Sequence, residues 1–154
     1  MWVDNDIIKQ CSEQLTVKAF VPQSHYVVLG RSNELTKECL TENCLSDGVP
    51  IYKRSGGGGT VLLHSGCVVV SVGAWVTDYY ANKKYFSRLN EAMVACLSGL
   101  WPLFSQIQQC GLSDLALDGR KVCGSSLFRS RNYLLFQASL VVERKIKLIE
   151  RYLS

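Results

Sequence analysis

Four consecutive glycines, Gly56 to Gly59, stand between two strand-like runs, and no other feature restricts the fold of this chain so strongly. Val49 to Lys53 leads into them and Thr60 to Leu63 leaves them, both rich in apolar or β-branched residues. Without side chains, a backbone can approach a ligand closely and turn successive N–H groups toward a phosphate or carboxylate. Ordering such a run costs chain entropy, so it persists for a reason or stays a flexible hairpin loop. The residues after the glycines exclude two kinds of phosphate-binding loop. A Walker loop requires Gly-Lys, then Ser or Thr, then a helix, and a dinucleotide fingerprint also opens a helix. Here Gly59 is followed by Thr60 and a valine-rich strand.

The rest of the chain supplies strands and helices without strict alternation. Leu15 to Phe20 and Tyr26 to Leu29 read as strands about the turn Pro22-Gln23-Ser24. Asn33 is placed to cap a helix from Glu34 to about Cys44, closed by Asp47-Gly48. Cys67 to Trp75 is a further strand. Tyr85, Leu89, Ala92, Cys96 and Leu100, with Phe86, Met93 and Leu97 beside them, predict an amphipathic helix ending near Gly99 to Pro102. Strands are expected at Asp114 to Leu117, Lys121 to Arg129 and Tyr133 to Val142, then a helix whose apolar stripe is Ile146, Ile149 and Leu153. The fold class is therefore α+β, a mixed β-sheet flanked by helices, and 154 residues fit one domain spanning 1–154.

Hydrophobic residues at 47% and charged residues at 19% allow a real core and exclude a disordered chain. No apolar run reaches the roughly 20 residues of a membrane span. The first residues, Met1-Trp2-Val3-Asp4-Asn5-Asp6, show no export signal, so a cytoplasmic protein with reduced thiols is expected. Its seven cysteines include one close pair, Cys39 and Cys44, with no second pair at ligand spacing, which excludes a metal held by a side-chain cluster. A net charge of +4 suits an anionic ligand or acidic partner but lacks the dense basic stretches of a nucleic-acid binder.

A second feature is Asp118-Gly119-Arg120-Lys121-Val122-Cys123-Gly124-Ser125, where a turn enters a strand through two cations and then small residues. Adjacent strand residues point oppositely, so Lys121 can face an anionic ligand while Arg120 faces away, and Cys123 shares the face of Lys121. On its own such a Lys-Arg pair is more often solvated. Three segments in order change that reading: Val28-Leu29-Gly30-Arg31-Ser32-Asn33-Glu34, Lys53-Arg54-Ser55-Gly56-Gly57-Gly58-Gly59-Thr60-Val61 and Ser113-Asp114-Leu115-Ala116-Leu117-Asp118-Gly119-Arg120-Lys121-Val122-Cys123-Gly124-Ser125. Together they resemble the signature segments of the biotin/lipoate–protein ligase family, and the resemblance runs from about Val3 to Leu153.

The resemblance implies a class II synthetase-like, biotin-ligase-like fold. It implies an enzyme that activates lipoate or octanoate with ATP and Mg²⁺ as an acyl-adenylate. The acyl group then passes to a lysine of a lipoyl carrier domain or the glycine-cleavage H protein, in some relatives with a separate accessory subunit. Lys121 resembles the family's electrophilic lysine and Arg54 the second arginine of its arginine pair. Ser55 would donate to the ligand, and Gly56, Gly57, Gly58, Gly59 and Thr60 would lie along it, with Gly124 and Ser125 leaving room. Arg31 and His64 are further candidates near the loop. Set against the family pattern, a shortened first helix and no C-terminal accessory domain are expected. The chain also departs from the pattern at Lys53 (usually Arg), at Val69 (usually Asn), at His64 in an acidic position, and at Gln137-Ala138-Ser139 in place of His-Gly-Thr. Other members of the family move acyl groups between carriers through a cysteine thioester, for which Cys110 and Cys123 are the candidates. A non-catalytic acyl- or nucleotide-binding subunit is the third reading.

Overall fold

A computed structural model of the chain describes residues 6–7, 15–78 and 80–154. Most of the N-terminal stretch that bears on an export signal lies outside them, as do Trp2, Cys11 and Tyr79. Nine strands form two sheets among the described residues. The larger is antiparallel throughout and joins β1 (Thr16–Phe20), β5 (Cys67–Trp75), β9 (Tyr133–Val141), β8 (Arg120–Ser130), β7 (Asp114–Leu117) and β6 (Gln108–Cys110), in that order. In the smaller sheet β2 (Tyr26–Leu29) pairs in parallel with β3 (Ile51–Lys53) and antiparallel with β4 (Val61–Leu63). Sheets with both parallel and antiparallel pairs, flanked by helices, match the expected α+β class.

Strand alternation sorts the residues into layers. Leu134, Phe136 and Ala138 of β9 face the helix α3 (Asn82–Leu100), and with Leu115 and Cys123 they build the main core. On the opposite face, Cys67 and Val69 of β5 meet Val28 and Leu63 of the small sheet. Val27, Leu29 and Leu62 look the other way, toward Cys44 and Tyr152. The small sheet is thus sandwiched between the large one and two short helices, α2 (Thr41–Ser46) and α4 (Ile146–Tyr152). Among the described residues no helix is long and apolar enough to cross a membrane.

Three expectations need correction. The helix expected from Glu34 to Cys44 is two, α1 (Leu35–Glu38) and α2, because Cys39 bridges to Leu153 and the Leu40 N–H donates to the Tyr152 carbonyl. Long-range backbone pairing overrides local helix continuity there. The stripe on α4 is also displaced: Ile146 and Ile149 are exposed, whereas Tyr152 is buried and Leu148 packs with it. On α3 Asn90 and Leu97 are buried and Tyr85, Phe86, Leu89 and Met93 pack against the core as expected, but Ala92, Cys96 and Leu100 are exposed. Asn90 sits in the core because its Nδ2 donates to the Leu112 carbonyl (3.0 Å) and its Oδ1 accepts from the Ser125 hydroxyl (3.3 Å). A buried amide is tolerated when so paired.

The short helices are held by Asp47, which accepts hydrogen bonds from Arg151 Nη2 (2.8 Å) and Tyr152 Oη (2.9 Å). The Arg151 guanidinium, then the Tyr152 hydroxyl, hold the Asp47 carboxyl well below the usual carboxylate range. A depressed folded-state value means that this stabilisation is present above the unfolded pKa of about 3.9 and is lost as pH falls through the folded one. Wild-type melting temperature is therefore expected to drop more steeply below about pH 4 than that of Asp47→Asn, whose amide does not titrate there. Parallel acid limbs in the two melting profiles would show that Asp47 carries no such linkage.

Candidate active site

A cavity of about 150 Å³ opens between the two sheets. Val28, Val61, Leu63 and Val69 give it an apolar wall, and Ser126, Gln137 and Ser139 a polar one. The glycine loop and Lys121 meet at its edge, so two of the three sequence segments converge there, together with Val28 from the first.

Arg54 fixes the loop from below. It is 8% exposed, and its Nη2 donates to the carbonyls of Gly57 and Gly59, each at 2.7 Å, while Nη1 reaches the Val28 carbonyl at 3.3 Å. In a trans peptide the N–H points opposite to its carbonyl. With the Gly57 and Gly59 carbonyls turned onto Arg54, the N–H groups of Gly58 and Thr60 point away from it. Two glycines are required by this geometry. Gly58 has φ +90°, and a Cβ on Gly30 would lie 2.0 Å from the Gly58 carbonyl oxygen. Asn33 closes the loop's far end: its Nδ2 donates to Thr60 Oγ1 (3.1 Å), so it serves the loop and does not cap α1. Lys53, in the place of the first arginine, is exposed and donates to the Asn33 carbonyl.

Lys121 reaches the cavity through an irregularity. Asp114 pairs with Gly124 and Leu115 with Cys123, but Ala116 pairs with Lys121, so β8 carries one extra residue at this point. The bulge breaks the alternation on which the expectation for Cys123 rested. Lys121 joins the face of Asp114 and binds its Oδ2 at 2.8 Å, with its side chain 60% exposed. Cys123 faces the helix side instead, 1% exposed beside Leu115, and burial pushes its thiol up to about 12. That is a poor nucleophile. Gly124 makes room for the lysine, since a Cβ there would meet Lys121 Cε at 3.1 Å and Nζ at 3.2 Å.

Lys121, Arg54, Gly58, Gly59, Thr60, Gly124 and Ser125 line the cavity; Ser55, Gly56, Gly57, Arg31 and Cys110 do not. Ser125 contributes no hydroxyl to it, because Oγ is held on the α3 side by Asn90 and the Ser113 carbonyl. Gly56 is buried, and its carbonyl accepts from the Arg31 N–H (2.9 Å), while the Arg31 guanidinium lies over the Phe128 ring. His64, expected near a ligand, is 2% exposed and outside the cavity lining proper; its Nδ1 accepts from the Gly66 N–H (3.0 Å). Burial, then the charge of Lys145, lowers its pKa, so it is a neutral turn residue. Cys110 is exposed on the edge strand, opposite Asp114 in register. Sequence reasoning missed Asp114, Ser126 and Ser139 as cavity residues, although Asp114 lies within the third signature segment. Pairing of opposite charges across neighbouring strands was the usable signal.

The family model of the lipoyl protein ligase A/B catalytic domain matches residues 1–154. A curated relative, lipoate-protein ligase A of Blochmanniella floridana, is 26% identical over 152 residues, covering 96% of this chain and 43% of its own length. The chain thus spans less than half of that relative. Among solved structures, a bi-partite lipoate protein ligase from Thermoplasma acidophilum, described with its E2 lipoyl domain, superposes with a TM-score of 0.85 at 19% identity. It covers 98% of this chain and 59% of that one. A lipoate-protein ligase A bound with ATP gives 0.84 at 19% identity, with 98% and 64% covered. These likenesses confirm the fold, and the full-length match to the family model, together with the convergence of its glycine loop and lysine at one cavity, makes this chain a member of the lipoyl protein ligase A/B catalytic domain family.

Proposed function

We propose that residues 1–154 act as one cytoplasmic catalytic domain that activates lipoate or octanoate with ATP and passes the acyl group to a lysine of a lipoyl carrier domain. The observation that carries this reading is that Lys121 lines the same cavity as Gly58 and Gly59 of the glycine loop. The substrate carboxylate would attack the α-phosphate of ATP and release pyrophosphate. The carrier lysine's amine would then attack the acyl carbon and release AMP. Lys121 supplies positive charge where negative charge develops in both steps, and the Gly58 and Thr60 N–H groups supply fixed dipoles. Neither step needs a side-chain nucleophile, and no thiol lines the cavity among the described residues.

Mg²⁺ requires few protein ligands when it arrives on phosphates, typically one or two carboxylates. Among the described residues no three His, Cys, Asp or Glu side chains form a metal cluster, but the Asp114 carboxylate lines the cavity. Asp114 is thus the residue that would hold a nucleotide-borne Mg²⁺, which would neutralise phosphate charge. Acceptor proteins, including the glycine-cleavage H protein, and a separate accessory subunit belong to the same proposal.

A carrier-to-carrier transferase is the second reading, favoured by the exposed Cys110 opposite Asp114. Mass spectrometry separates the two after incubation with lipoate, Mg-ATP and a lipoyl domain. The ligase reading expects lipoyl-AMP, a lipoylated carrier and full turnover by Cys110→Ser. A hydroxylamine-sensitive adduct on Cys110, with turnover lost in Cys110→Ser, would establish the transferase instead. Bound ligand with no product of either kind would leave a non-catalytic binding subunit.

A further inference from the structure

Gln137 lies in the middle of β9, 6% exposed, and lines the cavity. Its Nε2 donates to Ser71 Oγ at 3.3 Å, on the neighbouring strand. Its Oε1 is buried without a hydrogen-bond partner among the described residues. A buried amide oxygen left unpaired is costly, and structures keep few of them without a purpose. The terminal torsion of glutamine is soft, so a small rotation can present that oxygen to a ligand.

Its surroundings indicate what kind of ligand. Ser126, directly across from Gln137 on β8, and Ser139, two residues along β9, extend the same polar wall, and all three face Val28, Val61 and Leu63 of the small sheet, with Val69 beside Ser139. A plain alkyl chain would satisfy the valine side and leave the amide unpaired. Ser139 is also the cross-strand neighbour of Gly124, over which Lys121 lies. A carboxylate held by Lys121 therefore runs its chain past Ser139 toward Gln137, two residues farther along β9.

We propose that Gln137 sets the acyl specificity of this site, selecting a medium-chain carboxylic acid that carries a hydroxyl in mid-chain over the saturated acid of the same length. A hydroxyl both donates and accepts, so it pairs with either end of the amide. This rests on the acyl-activating role of the cavity given under Proposed function.

The test compares octanoate with hydroxyoctanoates in which the hydroxyl is moved along the chain, using calorimetric titration and ATP-dependent pyrophosphate release. For the wild-type chain, one mid-chain hydroxy acid is expected to bind and react about tenfold better than octanoate. Gln137→Leu should reverse that preference by improving octanoate and weakening the hydroxy acid, while Gln137→Glu, of similar size, reports whether the position tolerates change. A hydroxy-acid preference that survives Gln137→Leu would overturn the assignment, as would wild-type preference for octanoate at every hydroxyl position. If neither acid class binds, the acyl-activating role itself fails and the specificity falls with it. Octanoate turnover without hydroxyl discrimination would sink the specificity alone.

Discussion

Lys121→Ala is expected to lower acyl transfer by about 10²-fold or more, because it removes the cation that the proposed mechanism sets against the developing charge. Stability should change little. The ion pair with Asp114 is more than half exposed on the lysine side, and exposed pairs contribute about 0–1 kcal/mol. Arg120 is exposed and pairs with Leu117 at the start of β8, so Arg120→Ala should cost less than about threefold. Initial rates of carrier lipoylation, measured beside thermal melts, check both. Equal losses at the two positions would mean a diffuse basic surface and not a specific electrophile.

Gly30→Ala should produce the largest loss outside the chemistry itself. Its methyl group would lie 2.0 Å from the Gly58 carbonyl oxygen and 3.0 Å from the carbonyl carbon, both backbone atoms. The loop must move, at a cost of about 1–3 kcal/mol in a packed setting, and the Arg54 bonds that orient its peptides move with it. Affinity for a non-hydrolysable lipoyl-adenylate analogue should fall by more than about tenfold. Gly59→Ala is the informative contrast. Gly59 lines the cavity, has no positive φ, and a Cβ there meets nothing within 4 Å. The free protein should melt within a degree or so of wild type, or slightly higher through reduced unfolded-state entropy. Ligand binding should still weaken, since the open space is where a ligand's phosphate would lie. Unchanged affinity in Gly59→Ala would remove the case for close backbone approach. Gly58→Val separates the two effects less well, because its φ of +90° and a Cβ 3.2 Å from Arg54 Nη2 disturb the loop before any ligand arrives.

The strand runs and the loop were legible because they depend on local chemistry: β-branched runs, glycines and turns. Features set by long-range pairing were not. Asn90 falls between Phe86 and Met93 on the apolar side of α3, and nothing local shows that Leu112 and Ser125 will pair its amide. Asn33 reads as a cap because asparagine often is one, yet its side chain bonds Thr60, 27 residues on. The family resemblance supplied Arg54 as a site residue, but only the carbonyls gathered round its guanidinium show that it shapes the loop from within. His64 looked available from its place beside the loop; the turn to Gly66 buries it.

The extra residue in β8 has a consequence for folding as well as for chemistry. Without it, Lys121 would take the face of Cys123, opposite Leu117, where Arg120 now stands exposed. Its ion pair with Asp114 would be broken there, for about 0–1 kcal/mol, because that pair is exposed on the lysine side. This lysine therefore marks the register only lightly, and a slip to the regular pairing withdraws the cation that the proposed mechanism places at the cavity. An alanine at this position removes the charge and leaves the pairing of β8 nearly as stable as before. Glutamine keeps a polar side chain without the charge, so Lys121→Gln separates the loss of charge from the loss of side-chain bulk.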